Sequence, residues 1–131
     1  MKPPNRIHHI NFLVRDLDAA IRLYEDSMGL APFVEIDHAV RGSRIARSKI
    51  GETWFVLICP YDDTSVPGRH LKEHGEGFFL LSLGVDDLDE HLRQLEEAER
   101  GDIRQGILDW TVADAGMHFG ASLQFTDERS D

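Results

Sequence analysis

The sequence contains a single cysteine, Cys59, among its 131 residues, and no long run of apolar residues. One cysteine permits neither an intrachain disulfide nor a cluster of thiolate metal ligands. No stretch approaches the roughly 20 apolar residues of a membrane-spanning helix, and the N-terminal MKPPNR lacks the apolar segment of a signal peptide. These absences predict a cytoplasmic protein that has no membrane partner.

Positive charge is scarce as well: 14 Lys and Arg residues stand against 24 Asp and Glu, for a formal net charge of -10. Nucleic acids and anionic lipids are polyanions that such a surface repels, so neither is expected as a partner. Small molecules and other proteins remain. Because 41% of the residues are hydrophobic, the chain can bury a core, and its length favours one domain over residues 1–131.

The first pattern that is present is a strand followed by a helix. Polarity alternates over residues 9–14, which is typical of a strand with two different faces. Apolar residues then recur at helical spacing from Leu17 to Met28, with Asp16 at the N-cap position and Gly29 where a helix would end. This stretch predicts a β-α unit.

The unit occurs twice, because a shift of 71 positions aligns VRDLD at 14–18 with VDDLD at 85–89. Strand-like runs follow each copy, at 32–40, 43–50 and 53–59 in the first and at roughly 102–108, 109–114 and 121–127 in the second. The sequence therefore predicts an α+β chain of two tandem β-α-β-β-β modules. We place these modules at about 6–60 and 77–127, with an ordered crossover loop at 61–76 between them.

Two such modules, each opened by a strand that ends in V-x-D-L-D, resemble the vicinal oxygen chelate superfamily. This superfamily includes glyoxalases, methylmalonyl-CoA epimerases, extradiol dioxygenases and bleomycin or fosfomycin resistance proteins. HHINFLVRDLDAAIRLYEDSMGL at the start and HLKEHGEG in the crossover are most similar to segments of methylmalonyl-CoA epimerases. The resemblance implies two curled sheets around a concave cleft, helices outside them, and a homodimer.

Metal-dependent members of the superfamily hold a divalent ion in the cleft on four side chains, usually His and Glu or Gln. The resemblance places these positions at His9, Val56, Leu80 and Gln124. Valine and leucine have no lone pair, so only His9 and Gln124 would bind a metal. We therefore expect no cofactor and no usual metal centre, with His118, just before the last strand, as the residue that would complete a partial one.

The carboxylate bases of an epimerase are also replaced. By the same resemblance, one of them corresponds to Gln124, whose amide does not transfer protons, and the other to about Ala46. We do not expect a standard methylmalonyl-CoA epimerase.

Strand alternation also predicts which residues line the cleft. The expected lining is His9, Asn11, Trp54, Val56, Leu80, Ser82, Ser122 and Gln124. Apolar walls with a few polar groups are typical of a pocket for an organic ligand, although the same residues, Trp54 and Leu80 above all, would also fill a closed core.

Other histidines and charged groups have simpler interpretations. We expect a hydrogen bond from His9 to Gln124, and His8 on the opposite face of the strand as a structural or surface residue. Four further histidines are placed on loops or solvent-facing helix positions without a role: His38, His70, His74 and His91. The helix predicted over residues 86–100 is an amphipathic outer helix.

One local basic cluster stands out in the acidic chain. It comprises Arg41, Arg44, Arg47 and Lys49. Charged residues commonly protect the exposed edge of a sheet, but the same groups would also receive a carboxylate or the phosphates of a coenzyme A ester.

The sequence thus favours a protein that binds a small organic ligand in an apolar cleft without the usual catalytic metal. The alternative is a metal-dependent isomerase or lyase of the methylmalonyl-CoA epimerase or glyoxalase type, acting on an acyl-CoA or a related oxygenated substrate. A third interpretation is an accessory or regulatory protein with a vestigial cleft. The sequence identifies neither the ligand nor a reaction.

Overall fold

The structure, a computed structural model, describes residues 1–38 and 42–130. Its strands are β1 (Arg6–Leu13), β2 (Val34–His38), β3 (Ser43–Ile50), β4 (Thr53–Pro60), β5 (Gly77–Val85), β6 (Ile103–Gln105), β7 (Thr111–His118) and β8 (Ala121–Asp127). Its α-helices are α1 (Leu17–Arg22), α2 (Val66–His74) and α3 (Leu88–Arg93). None of the helices in this described part is long and apolar enough to cross a membrane.

The order of the elements confirms the α+β class and the two β-α-β-β-β modules. The first module is β1-α1-β2-β3-β4, and the second is β5-α3-β6-β7-β8. The crossover between them contains α2. The end of the strand-like run at 32–40, and with it Arg41, lies outside the described residues.

The chain forms two compact units, Ile10–Phe79 and Met1–His9 with Leu80–Asp131. We call the first the Ile10–Phe79 unit and the second the C-terminal unit, and describe each by itself. In the Ile10–Phe79 unit, neighbouring strands follow the order β2-β3-β4-β1, and β3 is antiparallel to both β2 and β4.

Helix α1 packs on one face of β3 and β4 in the Ile10–Phe79 unit. Leu17 of the helix forms a buried cluster with Ala46 and Leu57, as burial of apolar surface favours. The Ala19 N–H donates to Asp16 Oδ1 at 3.0 Å, so Asp16 is the predicted N-cap. After Arg22 the helix continues as a π-helical turn over Leu23–Ser27.

In the C-terminal unit, neighbouring strands follow the order β1-β5-β8-β7-β6. Strand β8 is parallel to β5 and antiparallel to β7. Helix α3 covers this unit through a buried cluster made of Val85, Leu88, Leu92 and Ala113. Its N-cap is Asp87, whose Oδ1 accepts a hydrogen bond from the Glu90 N–H at 3.2 Å.

The predicted helix over 86–100 is too long. Helix α3 ends at Arg93, and only a single 3₁₀ turn over Glu97–Glu99 follows. The acidic residues of this stretch, with Glu96 among them, would lie at the C-terminal end of a continued helix, where the helix dipole disfavours negative charge. The chain turns there instead.

Candidate functional site

His9 lies in an aromatic cluster in the C-terminal unit. His8 and His9 are both buried, and their Nδ1 atoms lie 2.9 Å apart. The ring of Trp110 stacks on His9 at 4.7 Å between centroids and meets His8 edge-on at 4.6 Å. One imidazole therefore donates to the other, and both rings contact the same indole.

Of the two interpretations of His8, the structural one agrees with its burial, and a surface position does not. Strand alternation sets the directions of the two Cβ atoms. Rotation about the side-chain bonds can still turn two adjacent imidazoles toward each other. Their Nδ1 atoms can then meet, because Nδ1 is the ring nitrogen closer to the main chain. Trp110 was missed altogether. It follows Leu108 and Asp109, which have positive φ angles of 56° and 60°, so no period in the sequence predicts its direction.

Gln124 has a different partner from the one expected. It is buried, and its Nε2 donates to Asp114 Oδ1 at 3.1 Å. The two residues are directly opposite in the β7–β8 register. Arg104 donates to the same carboxylate in three contacts of 2.9 to 3.2 Å. The side-chain hydrogen bond that the structure gives Gln124 goes to Asp114 and not to His9.

The parallel register of β5 and β8 pairs Leu80 with Ser122 and Ser82 with Gln124. These four residues of the predicted lining therefore lie side by side on two adjacent strands. The Ser82 hydroxyl is fully buried and hydrogen-bonded to Thr126 Oγ1 at 2.6 Å. Gln124 Oε1 is buried and has no hydrogen-bond partner in the described part of the chain. Contact of this face with a ligand stays a prediction.

The Ile10–Phe79 unit carries the other predicted lining residues on a second face. In the β3–β4 register, Arg47 is opposite Val56 and Lys49 is opposite Trp54. The Arg47 Cζ lies 3.9 Å, and the Lys49 Nζ 4.4 Å, from the centroid of the Trp54 ring. We call these four residues the Trp54 face. It combines an aromatic surface with two cations.

Strand alternation divides the predicted basic cluster. Arg44 lies on the other face of β3 from Arg47, and its Nη2 donates to Asp18 Oδ1 at 3.0 Å and also to Glu35. Hydrogen bonds to these two carboxylates raise the pKa of Arg44 further above its usual range. Arg44 is thus paired with two carboxylates, and Arg47 and Lys49 lie over the ring of Trp54.

Ala46, near which the resemblance places a catalytic base, lies on the covered face of β3. Ala46 is buried against Leu17 and Leu57 beneath α1. Its chain neighbours Ile45 and Arg47 lie on the other face of β3, the face shared with Val56. Neither of them is a carboxylate, so no general base of that kind is found on this part of β3.

The residues at the superfamily's metal positions do not fit a four-ligand centre. Val56 is 0% and Leu80 is 8% exposed, and neither has a donor atom. His118 Nε2 lies 2.6 Å from the carbonyl oxygen of Ala115, to which it donates. Within residues 1–38 and 42–130, no group of three or more His, Cys, Asp or Glu side chains could hold a metal.

His91 does not occupy a solvent-facing position, contrary to expectation. Its ring is buried and lies 4.6 Å from that of Phe125 in the C-terminal unit. Burial, and to a lesser extent the positive N-terminal amine, lower the pKa of His91. The helical period alone did not reveal this burial, because the contact depends on where β8 passes beneath α3.

A family model described as the Glyoxalase/Bleomycin resistance protein/Dioxygenase superfamily matches residues 6–127. The chain therefore belongs to this superfamily, as its repeated β-α-β-β-β modules and its V-x-D-L-D strand ends predict. No curated protein matches the chain.

Among solved structures, the chain is similar to methylmalonyl-CoA epimerase from Mycobacterium tuberculosis, with 25% identity and a TM-score of 0.79 over 92% of this chain and 86% of that one. It is similar to Streptomyces coelicolor methylmalonyl-CoA epimerase in complex with 2-nitronate-propionyl-CoA, with 23% identity and a TM-score of 0.81 over 95% of each chain. The hypothetical protein BH1468 from Bacillus halodurans C-125 shares 21% identity, with a TM-score of 0.84 over 96% of each chain.

Proposed function

We propose that this chain binds a small anionic organic ligand and does so without the metal used by other members of its superfamily. The observation that carries the proposal is the chemistry of two positions. Val56 and Leu80 are buried aliphatic residues where the superfamily resemblance calls for metal ligands. A divalent ion would find too few donor atoms there.

The Trp54 face supports the choice of an anionic ligand. Arg47 and Lys49 place two positive charges beside an aromatic ring in a chain with a net charge of -10. Local positive charge on an acidic protein favours a carboxylate or phosphate, which a guanidinium binds through charge-assisted hydrogen bonds. The partly exposed indole would contact the apolar part of the same molecule.

Two buried polar atoms of this unit support a ligand as well. Trp54 Nε1 and Asn11 Oδ1 have no hydrogen-bond partner among the described residues. Buried polar groups are rarely left without one, because an unmade hydrogen bond costs free energy. A ligand oxygen would accept from the indole N–H, and a ligand donor would bond to the amide oxygen.

The residues at and near the positions of the superfamily's carboxylate bases argue against proton abstraction as the function. A general base for a carbon acid must gain and lose a proton near neutral pH. An amide, an alkyl group and a guanidinium do not gain and lose a proton near neutral pH, and these are the side chains of Gln124, Ile45 and Arg47. Binding therefore explains this set of side chains better than epimerisation does.

A thermal-shift and calorimetric screen of the purified protein against acyl-CoA esters, free carboxylic acids and sugar phosphates tests the ligand class. A ligand that binds only the folded state raises the unfolding temperature. We expect Arg47→Met and Trp54→Leu each to weaken binding by roughly tenfold or more, the loss of about one charge-assisted hydrogen bond or one aromatic contact.

Arg44→Met is the matched control, because Arg44 lies on the same strand but faces Asp18 and Glu35 instead. It should leave binding unchanged. Equal losses from Arg44→Met and Arg47→Met would refute a role for the Trp54 face. Binding of neutral compounds as tight as that of their anionic analogues would refute the charge argument.

The metal-dependent isomerase or lyase remains the second candidate, because His9 occupies the first ligand position of the superfamily and is buried. Elemental analysis after dialysis, together with exchange of the α-proton of acyl-CoA esters in D₂O, distinguishes the two candidates. A stoichiometric metal that is retained by the wild type and lost on His9→Ala would overturn the metal-free proposal.

A further inference from the structure

Two histidines on α2 lie at a spacing that suits a metal. Helix α2 covers Val66–His74, and His70 and His74 are four residues apart on it. Residues at i and i+4 project from the same face of an α-helix. Their ring centroids are 4.6 Å apart, with 44° between the ring planes. This is the arrangement by which two imidazoles on one helix bind a single ion.

The surroundings hold one ring in place and leave the other accessible. His70 is half-buried, and its ring packs on Phe79 at 5.0 Å between centroids. His74 is exposed, and its Nε2 lies 3.8 Å from a carboxylate oxygen of Glu73. His70 Nδ1 is buried without a hydrogen-bond partner in the part of the chain that is described, so Nε2 is the nitrogen that we expect to bind a metal.

The positive side chains near the two histidines bond to other groups, and Arg69 donates to the carbonyl oxygen of Thr64. Lys72, between the two histidines in the sequence, is turned to Asp63, with its Nζ 2.9 Å from Asp63 Oδ2. Its charge is therefore compensated by Asp63. Glu73 adds a negative charge next to His74, and the chain as a whole is acidic.

We propose that His70 and His74 form a surface site for a divalent transition-metal ion, with solvent water completing the coordination. Imidazole ligands suit Zn²⁺, Ni²⁺ and Cu²⁺, whereas Mg²⁺ and Ca²⁺ prefer oxygen ligands. This site involves none of the four positions that the superfamily uses for its metal. It is independent of the ligand proposed for the Trp54 face, and either proposal stands if the other fails.

Isothermal titration of the full chain without a polyhistidine tag, using Zn²⁺ and then Ni²⁺, tests the site. We expect one ion per chain and no displacement by excess Mg²⁺. His74→Ala should weaken Zn²⁺ binding by at least about tenfold, since removal even of a group that only orients a ligand costs that much. His74 is exposed, so this variant should fold like the wild type; His70→Gln keeps most of the ring volume beside Phe79 and should lose binding equally.

His9→Ala is the control that separates this site from the superfamily position. It should leave the affinity for Zn²⁺ unchanged. A second readout is the unfolding temperature, which Zn²⁺ should raise in the wild type but not in His74→Ala, because binding to the folded state is stabilising. Unaltered Zn²⁺ binding in the double variant His70→Gln/His74→Ala would refute the proposal, as would loss of binding in His9→Ala alone.

Discussion

The two helix caps of the repeated β-α unit provide a sharp test of how this fold is stabilised. Asp16 accepts a hydrogen bond from the Ala19 N–H at 3.0 Å, and Asp87 accepts one from the Glu90 N–H at 3.2 Å. Asp16→Ala removes one hydrogen bond and one negative charge at a helix N-terminus. Loss of such a cap costs about 1 kcal/mol.

The matching change Asp87→Ala should cost a similar amount. Asp87 also contacts Arg129 Nη2 at 3.3 Å, but Arg129 keeps Asp127, which it contacts at 2.6 Å. The additional loss is therefore small, as is usual for exposed ion pairs. In a chain of this length, a loss of about 1 kcal/mol lowers the unfolding temperature by roughly 2–5 °C.

Urea-induced unfolding, followed by circular dichroism, measures both variants against the wild type. Asp16→Asn retains the capping oxygen and should recover most of the stability lost in Asp16→Ala. The interpretation of Asp16 as a cap would be refuted by an alanine variant as stable as the wild type, or by an asparagine variant that is as unstable as the alanine one.

Three further changes test the C-terminal unit. Leu88→Ala should lower the free energy of unfolding in urea by about 2–5 kcal/mol, because Leu88 is fully buried under α3; a loss below this range would mean that the site collapses around the gap. Ser82→Ala should cost about 1–3 kcal/mol in the same assay by leaving the buried Thr126 hydroxyl without its partner, and Ser82→Ala/Thr126→Val should be more stable than that single variant. Burial holds the pKa of His91 below its usual value, so the unfolded chain takes up this proton first as the pH falls. The stability that comes from keeping His91 neutral is fully present above about pH 6.5, and it is lost as the pH falls through the lower pKa of the folded state. His91→Phe should flatten the stability profile in that window, and an identical slope in wild type and variant would contradict the burial of His91.

Local elements could be predicted well because their causes lie close together in the chain. The caps Asp16 and Asp87 and the β-α-β-β-β order depend on neighbours within a few residues. Helix α3 was predicted too long, since its apolar period continues into a stretch where accumulated negative charge ends the helix. Here two local signals conflict, and the negative charge outweighs the apolar period.

The face of a strand on which a given side chain lies was harder to predict than the strand itself. Ala46 lies on the face of β3 beneath α1, and the residues on either side of it lie on the opposite face, because side chains on a strand alternate with a period of two. Arg44 and Arg47 separate for the same reason. A difference of one position in the chain therefore changes which face of the strand a residue occupies.

The sequence by itself determined what the superfamily positions can do chemically, because no packing gives Val56 or Leu80 a lone pair. Only the tertiary structure decided what the polar residues contact. Trp110 stacks on His9, Asp114 takes the amide of Gln124, and His91 is buried on Phe125. These pairs are 101, 10 and 34 positions apart in the sequence. Their contacts depend on strand register and on turns with positive φ, which residue composition and period do not specify.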